Sequence, residues 1–208
     1  SSIIKLKMKL KVCGLSSVNE VKTCVLNNVD YCGFILNYPK SHRFISLNKA
    51  KEITSVDKKN TKFVCVLVNP NEEELEIYSK LNFDYFQLYG NYKDLDLKKI
   101  KNKFRKKIIC AIQVKTEQDV YNYKQVENES DIILWDSSGY EKSLSWDFDW
   151  IKSISTKVKK MIAGNITIEK LNVLKDVADI IDVSGALETN KVKDINKIKE
   201  FINEIGKI

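Results

Sequence analysis

The sequence predicts a single (β/α)8 barrel, the TIM-barrel architecture, and three observations carry that prediction. Eight short apolar runs are spread along the 208 residues at roughly even intervals. Amphipathic stretches with helix-start signals alternate with them, and five of the seven glycines stand just after an apolar run. Doubly wound open sheets usually hold five or six strands, whereas eight strand–helix units are what a closed barrel needs.

The first run is Met8–Cys13, followed by Ser17-Val-Asn-Glu20, the pattern of a capping box, and by Val18, Val21, Val25 and Val29 at helical spacing. The second, Tyr31–Leu36, leads to a weaker helix expected near 46–57, and the third, Lys62–Val68, to one opened by Asn71-Glu-Glu-Glu74. Acids in a first turn suit the positive end of the helix dipole. The fourth and fifth runs, Asp84–Tyr89 and Lys107–Val114, are followed by helices expected near 94–105 and 116–127, and the sixth, Asp131–Trp135, by one near 148–157. The seventh, Lys160–Ala163, precedes a helix from Thr167 carrying Ile168, Leu171, Leu174 and Ala178; the eighth, Ile180–Ser184, precedes a last helix with Val192, Ile195, Ile198, Ile202 and Ile205. Several runs are apolar almost without interruption and rich in Val, Ile, Phe and Cys, as parallel strands buried on both faces are. With only seven glycines and two prolines, no linker divides the chain. The barrel is expected over residues 8–208, with Met8 the natural start and Ser1–Lys7 an appended extension.

Composition narrows the function classes. Apolar residues make up 43% and charged residues 30%, an ordinary globular balance. No apolar run reaches the roughly 20 residues of a membrane span, and no secretory signal opens the chain. The formal net charge is +7, but only Arg43 and Arg105 among the 35 basic residues are arginine. The lysines are interspersed with acids along the whole chain rather than gathered with arginine and aromatics, so a solvated lysine surface is expected and no nucleic-acid partner. Five cysteines without a Cys-x-x-Cys pair, and the single histidine His42, predict a reduced, cytoplasmic protein without a metal or other cofactor. Nothing decides between a monomer and a homodimer.

In this architecture the turns after the strands form the catalytic face. Gly14, Gly90, Gly139, Gly164 and Gly185 mark those turns, which makes candidates of Cys13, Arg43, Gln87, Asp136, Asn165, Asp182 and Ser184. Cys32, Cys65 and Cys110 lie inside strands and read as core, whereas Cys13 ends its strand directly before Gly14. Arg43 stands out in a lysine-saturated chain; its planar fork suits bidentate recognition of a carboxylate. Asp136 at a strand end reads either as a loop cap or as a catalytic carboxyl, and Gln87 either as a pocket residue or as part of the barrel's polar filling.

At these residues the sequence resembles the phosphoribosylanthranilate isomerases. Lys11-Val-Cys-Gly-Leu15, Gly33-Phe-Ile, Ser41-His-Arg-Phe-Ile-Ser46, Gln87-Leu-Tyr-Gly90, Leu134-Trp-Asp136, Phe148-Asp-Trp150, Ile162-Ala-Gly-Asn165 and Asp182-Val-Ser184 follow one another in that family's order. Three departures stand out: Tyr89 where the family usually has histidine, a glycine-poor Tyr140–Trp146 stretch, and Asp182-Val-Ser-Gly-Ala-Leu-Glu188, with glycine displaced by one position.

The resemblance implies an Amadori rearrangement of N-(5-phosphoribosyl)anthranilate in tryptophan biosynthesis, on a small phosphorylated substrate. It assigns Asp136 as general acid, Cys13 as general base, Arg43 to the anthranilate carboxylate, and Asp182 with Gln87 to the pocket wall. Backbone N–H groups of Gly164, Asn165, Gly185 and Ala186 are expected on the phosphate. Two readings stay open beside it, another phosphosugar TIM-barrel isomerase and a non-catalytic lysine-rich binding protein.

Overall fold

Eight parallel strands close on themselves in chain order, so every strand pairs with its neighbours in sequence and β1 returns to β8. The computed structural model describes residues 7–137, 139–140 and 144–208. The strands are β1 Lys9–Cys13, β2 Tyr31–Ile35, β3 Lys62–Val68, β4 Tyr85–Tyr89, β5 Lys107–Val114, β6 Ile132–Ser137, β7 Lys159–Ile162 and β8 Ile180–Val183. Each lies within a residue or two of its apolar run. The extension expected over Ser1–Lys7 lies outside the described residues except for Lys7, as does part of the Tyr140–Trp146 departure.

The strands are apolar throughout because both faces are covered. Outward side chains such as Val12, Phe34, Phe63, Phe86 and Trp135 pack under the helices, while Tyr31, Val64, Tyr85, Ile109, Ile132, Met161 and Ile180 fill the lumen. Trp135 is fully buried and donates its indole N–H to the Val120 carbonyl at 2.9 Å. Each such side chain removed from water is worth roughly 1.5–3 kcal/mol.

Before every second strand an aspartate ties the barrel floor together. Asp30, Asp84, Asp131 and Asp179 each accept the backbone N–H of a residue on the preceding strand, Leu10, Phe63, Ile108 and Lys160, at 2.8–2.9 Å. This brace repeats around the floor with a period of two strands, at the end of a TIM barrel that serves stability rather than chemistry.

The helices are α1 Val18–Leu26, α2 Leu47–Thr54, α3 Glu72–Ser79, α4 Leu97–Phe104, α5 Leu171–Leu174 and α6 Ile195–Gly206. Ser17 caps α1, with Glu20 reaching back to it, and Asn71 with Glu74 forms a full capping box on α3. The last helix starts at Ile195, with Val192 in the short strand Val192–Lys193 instead of on the helix, and three other expected helices come out differently. The stretch near 116–127 is a 3-10 helix over Glu117–Gln125. Its buried residues Val120, Tyr123 and Val126 recur every three positions, the period of a 3-10 rather than an α-helix. Near 148–157 only the turn Phe148–Ile151 forms, because the Ser, Ile and Thr residues beyond it favour helix continuation poorly. After Thr167 a 3-10 turn, Ile168–Lys170, runs into the single α-turn of α5. No described helix is long and apolar enough to cross a membrane.

Candidate active site

A cavity opens at the C-terminal mouth of the barrel. Its lining brings together all ten residues singled out from sequence: Cys13, Arg43, Gln87, Asp136, Gly164, Asn165, Asp182, Ser184, Gly185 and Ala186. They converge because strand side chains alternate between lumen and helix layer, so Lys11 and Cys13, Gln87 and Tyr89, and Asp182 all face inward.

Asp136 is held from two sides. The Tyr89 hydroxyl donates to its Oδ2 at 2.6 Å and the Ser137 N–H donates to its Oδ1 at 2.7 Å. Burial, reinforced by the nearby Asp182 charge, pushes the carboxyl up to about 6, against those two bonds and the Lys11 charge, which favour the carboxylate. Gln87 Nε2 donates to the Tyr89 oxygen at 3.3 Å, while Gln87 Oε1 is buried without a partner among the described residues. Tyr89, the departure from the usual histidine, thus takes up the space beside the acid and hydrogen-bonds it directly. Burial and the Asp136 charge hold the Tyr89 hydroxyl well above the ordinary tyrosine range.

Across the mouth, β1 carries Lys11 and Cys13. The Lys11 ammonium is fully buried and donates to Asp182 Oδ1 at 3.0 Å, a pairing set by the register Lys11↔Asp182 between β1 and β8. Burial works against that ammonium, but Asp182 and Cys13 outweigh it and raise its pKa. Burial also pushes the Cys13 thiol up, opposed by the Lys11 and Lys193 charges.

Arg43 reaches the mouth by crossing Gly14. A Cβ on that residue would stand 2.4 Å from Arg43 Cδ, and its φ of +85° is the left-handed region that favours glycine. The Arg43 fork grips Glu188, with Nε to Oε2 at 2.7 Å and Nη2 to Oε1 at 2.9 Å. His42 and Lys193 bond the same carboxylate. Burial disfavours that charge, yet the Arg43 and Lys193 cations hold Glu188 down to about 2.

After β7 the chain turns through Gly164, with φ +118°, and Asn165, with φ +52°. A Cβ on Gly164 would stand 2.7 Å from Trp146 Nε1, which itself donates to the Ala163 carbonyl. Gly185 and Ala186 open a 3-10 turn, Gly185–Leu187, after β8. Among the described residues, none of these four spends its N–H on a turn hydrogen bond to a backbone carbonyl. The elements behind both turns are single short turns rather than long helices, so a helix dipole contributes little there.

Four residues of the site, Lys11, Tyr89, Glu188 and Lys193, were given no role from the sequence. Lys11 carried a readable signal, since a lysine between Leu10 and Val12 inside an apolar strand, two residues before Cys13, must share the lumen face with it. Glu188 and Lys193 carried none, because the Arg43 that shares their ion cluster lies 145 positions from Glu188 in the chain.

The geometry is accompanied by close likenesses. The family model for N-(5'phosphoribosyl)anthranilate (PRA) isomerase matches residues 10–204. The N-(5'-phosphoribosyl)anthranilate isomerase of Streptococcus mutans is 32% identical over 202 residues, covering 96% of this chain and 99% of that one. The crystal structure of phosphoribosyl anthranilate isomerase from Thermotoga maritima superposes with a TM-score of 0.82 at 26% identity, covering 97% of this chain and 100% of that one. A phosphoribosyl anthranilate isomerase in complex with reduced 1-(o-carboxyphenylamino)-1-deoxyribulose 5-phosphate shares the fold, with a TM-score of 0.77 at 24% identity over 97% of this chain and 100% of that one. A match that runs from the first strand into the last helix, joined to a relative aligned over nearly its whole length, makes this chain a member of the N-(5'-phosphoribosyl)anthranilate isomerase family.

Proposed function

We propose that this chain catalyses the Amadori rearrangement of N-(5'-phosphoribosyl)anthranilate to 1-(2-carboxyphenylamino)-1-deoxyribulose 5-phosphate, as a cytoplasmic isomerase of tryptophan biosynthesis. The observation that carries the reading is one cavity lined by a carboxyl tuned to about 6 and, across the mouth, a buried thiol beside a lysine. The chemistry asks for that pair. Asp136 in its acid form delivers a proton to the furanose oxygen, the C1′–O bond breaks, and the anilino nitrogen takes up the positive charge as an iminium. Cys13 as thiolate then removes the C2′ proton, leaving an enolamine that tautomerises to the ketose. A carboxyl near 6 is a workable acid at neutral pH, where an ordinary aspartate is almost wholly ionised.

Substrate placement follows the same cavity. The phosphate sits against the N–H groups of Gly164, Asn165, Gly185 and Ala186. Arg43, steered by Glu188, meets the anthranilate carboxylate, and Asp182 and Gln87 line the wall between. The orphaned Gln87 Oε1 offers an acceptor to a sugar hydroxyl, which would satisfy a buried polar atom that otherwise costs about 1–3 kcal/mol. The test is to add freshly made N-(5'-phosphoribosyl)anthranilate to the purified protein and follow the loss of its fluorescence. Catalysed loss, abolished in Asp136→Asn, is expected; loss no faster than in buffer overturns the reading.

A further inference from the structure

We infer that Lys11 is a positioning residue for the base, its buried ammonium meeting the Cys13 sulfur over Gly33 and favouring the anionic form of that sulfur towards the cavity. The inference rests on the reading of Cys13 as the base and adds the residue that makes such a base workable.

The fold sets this base a problem. Cys13 is buried in the lumen, and an apolar enclosure favours the neutral thiol, which cannot accept a proton from carbon. A compensating positive charge must therefore stand close by, and it must be out of water to act at full strength. Lys11 meets both conditions: it is wholly buried, two residues before Cys13 on the same strand, and on the same face.

Gly33 shows that the two groups face the same space. The register of β1 against β2 sets Gly33 opposite Cys13. A Cβ on Gly33 would lie 2.9 Å from Cys13 Sγ and 3.1 Å from Lys11 Nζ, so sulfur and ammonium converge on the space this glycine leaves empty. Its φ lies outside the left-handed range, and that space is the reason a side chain is absent. Asp182 takes one Nζ proton at 3.0 Å and fixes the ammonium's direction, leaving other N–H groups for the sulfur. Other groups also act on the thiol. Lys193 of the strand Val192–Lys193 draws its pKa down, Asp182 on β8 drives it up, and Tyr89 on β4 and Cys32 on β2 stand within electrostatic reach. Lys11 is the largest of the influences that favour the thiolate.

The experiment measures Cys13 ionisation apart from turnover. Iodoacetamide alkylation of the Cys13 peptide is followed by mass spectrometry from pH 6 to 10, beside the pH profile of kcat/KM. Lys11→Met alone strands the buried Asp182 charge and threatens the fold, so the working variant is Lys11→Met/Asp182→Asn, with Gly33→Ala as an independent wedge that leaves both charges in place. In Gly33→Ala the alkylation midpoint is expected to rise by about one pH unit, roughly a tenfold loss of thiolate at a given pH below it, and in the double variant by less, because losing the Asp182 charge offsets part of the rise. The basic limb of kcat/KM, set here by the group with the higher pKa, should move with it. An unchanged alkylation midpoint in folded Gly33→Ala and in the folded double variant overturns the role of Lys11. A raised midpoint with an unmoved kcat/KM profile upholds the Lys11–Cys13 coupling and instead overturns Cys13 as the base.

Discussion

Replacing Asp136 with asparagine separates the acid from a merely structural carboxyl, and the structure sets the size of the effect. The carboxyl titrates at about 6 in the folded protein instead of its ordinary 3.8. At 1.36 kcal/mol per pKa unit, that difference is worth about 3 kcal/mol. Its sign follows from proton binding. Below about pH 3.8 folded and unfolded chains both hold the proton, and the contribution of this site is fully present. As pH rises the unfolded chain releases its proton first, so the contribution is lost between about pH 4 and pH 6. The amide of the Asp136→Asn variant cannot ionise and has no such slope. The two proteins should therefore match within about 1 kcal/mol at pH 4, where a neutral acid and an amide have nearly the same shape. By pH 7.5 Asp136→Asn should be the more stable by about 3 kcal/mol, while its kcat falls by about 10²–10⁴. Urea unfolding followed by tryptophan fluorescence at pH 4, 5, 6 and 7.5 gives the first quantity, and the substrate-fluorescence assay the second. A stability difference that stays flat with pH would refute the raised carboxyl. A near-parental kcat would refute its role as acid.

Three further outcomes are expected. Cys13→Ser keeps the fold, since the change is nearly isosteric, but loses at least about a hundredfold in kcat, because an alcohol is a far weaker acceptor of a carbon-bound proton; normal turnover in the folded variant places the base elsewhere. Arg43→Lys keeps the charge but not the fork that engages Glu188 at 2.7 and 2.9 Å; calorimetry with the reduced product analogue should show about tenfold weaker binding, and equal affinity removes Arg43 from the site. Tyr89→Phe deletes the 2.6 Å bond that favours the Asp136 carboxylate; a charge-assisted bond worth about 1.5–3 kcal/mol should move the acidic limb of kcat/KM, set by this lower-titrating group, up by roughly one to two pH units, and a downward or absent shift refutes the assigned direction.

The architecture was legible in the sequence because its signals are local. A parallel strand covered on both faces must be apolar at consecutive positions, so all eight runs announced themselves, and the capping pairs Ser17 with Glu20 and Asn71 with Glu74 marked helix starts without help from the rest of the chain. Cys13 and Asp136 were legible too, as polar groups ending strands before a turn. What stayed hidden depended on residues far apart in the chain being brought side by side. Sequence alone determined that this chain forms eight strand–helix units with polar residues at the strand ends. Closure of β1 on β8 decided that Lys11 meets Asp182 across 171 positions. The floor braces of Asp30, Asp84, Asp131 and Asp179 became bonds only when neighbouring strands came into register. Packing decided that the stretch at Glu117–Gln125 winds as a 3-10 helix, and burial decided that Asp136 titrates near 6 rather than 4. The physical reason is the same in each case. Hydrophobic pattern and capping act over a few residues, whereas desolvation and ion pairing depend on what surrounds a group in space, which only the closed barrel supplies.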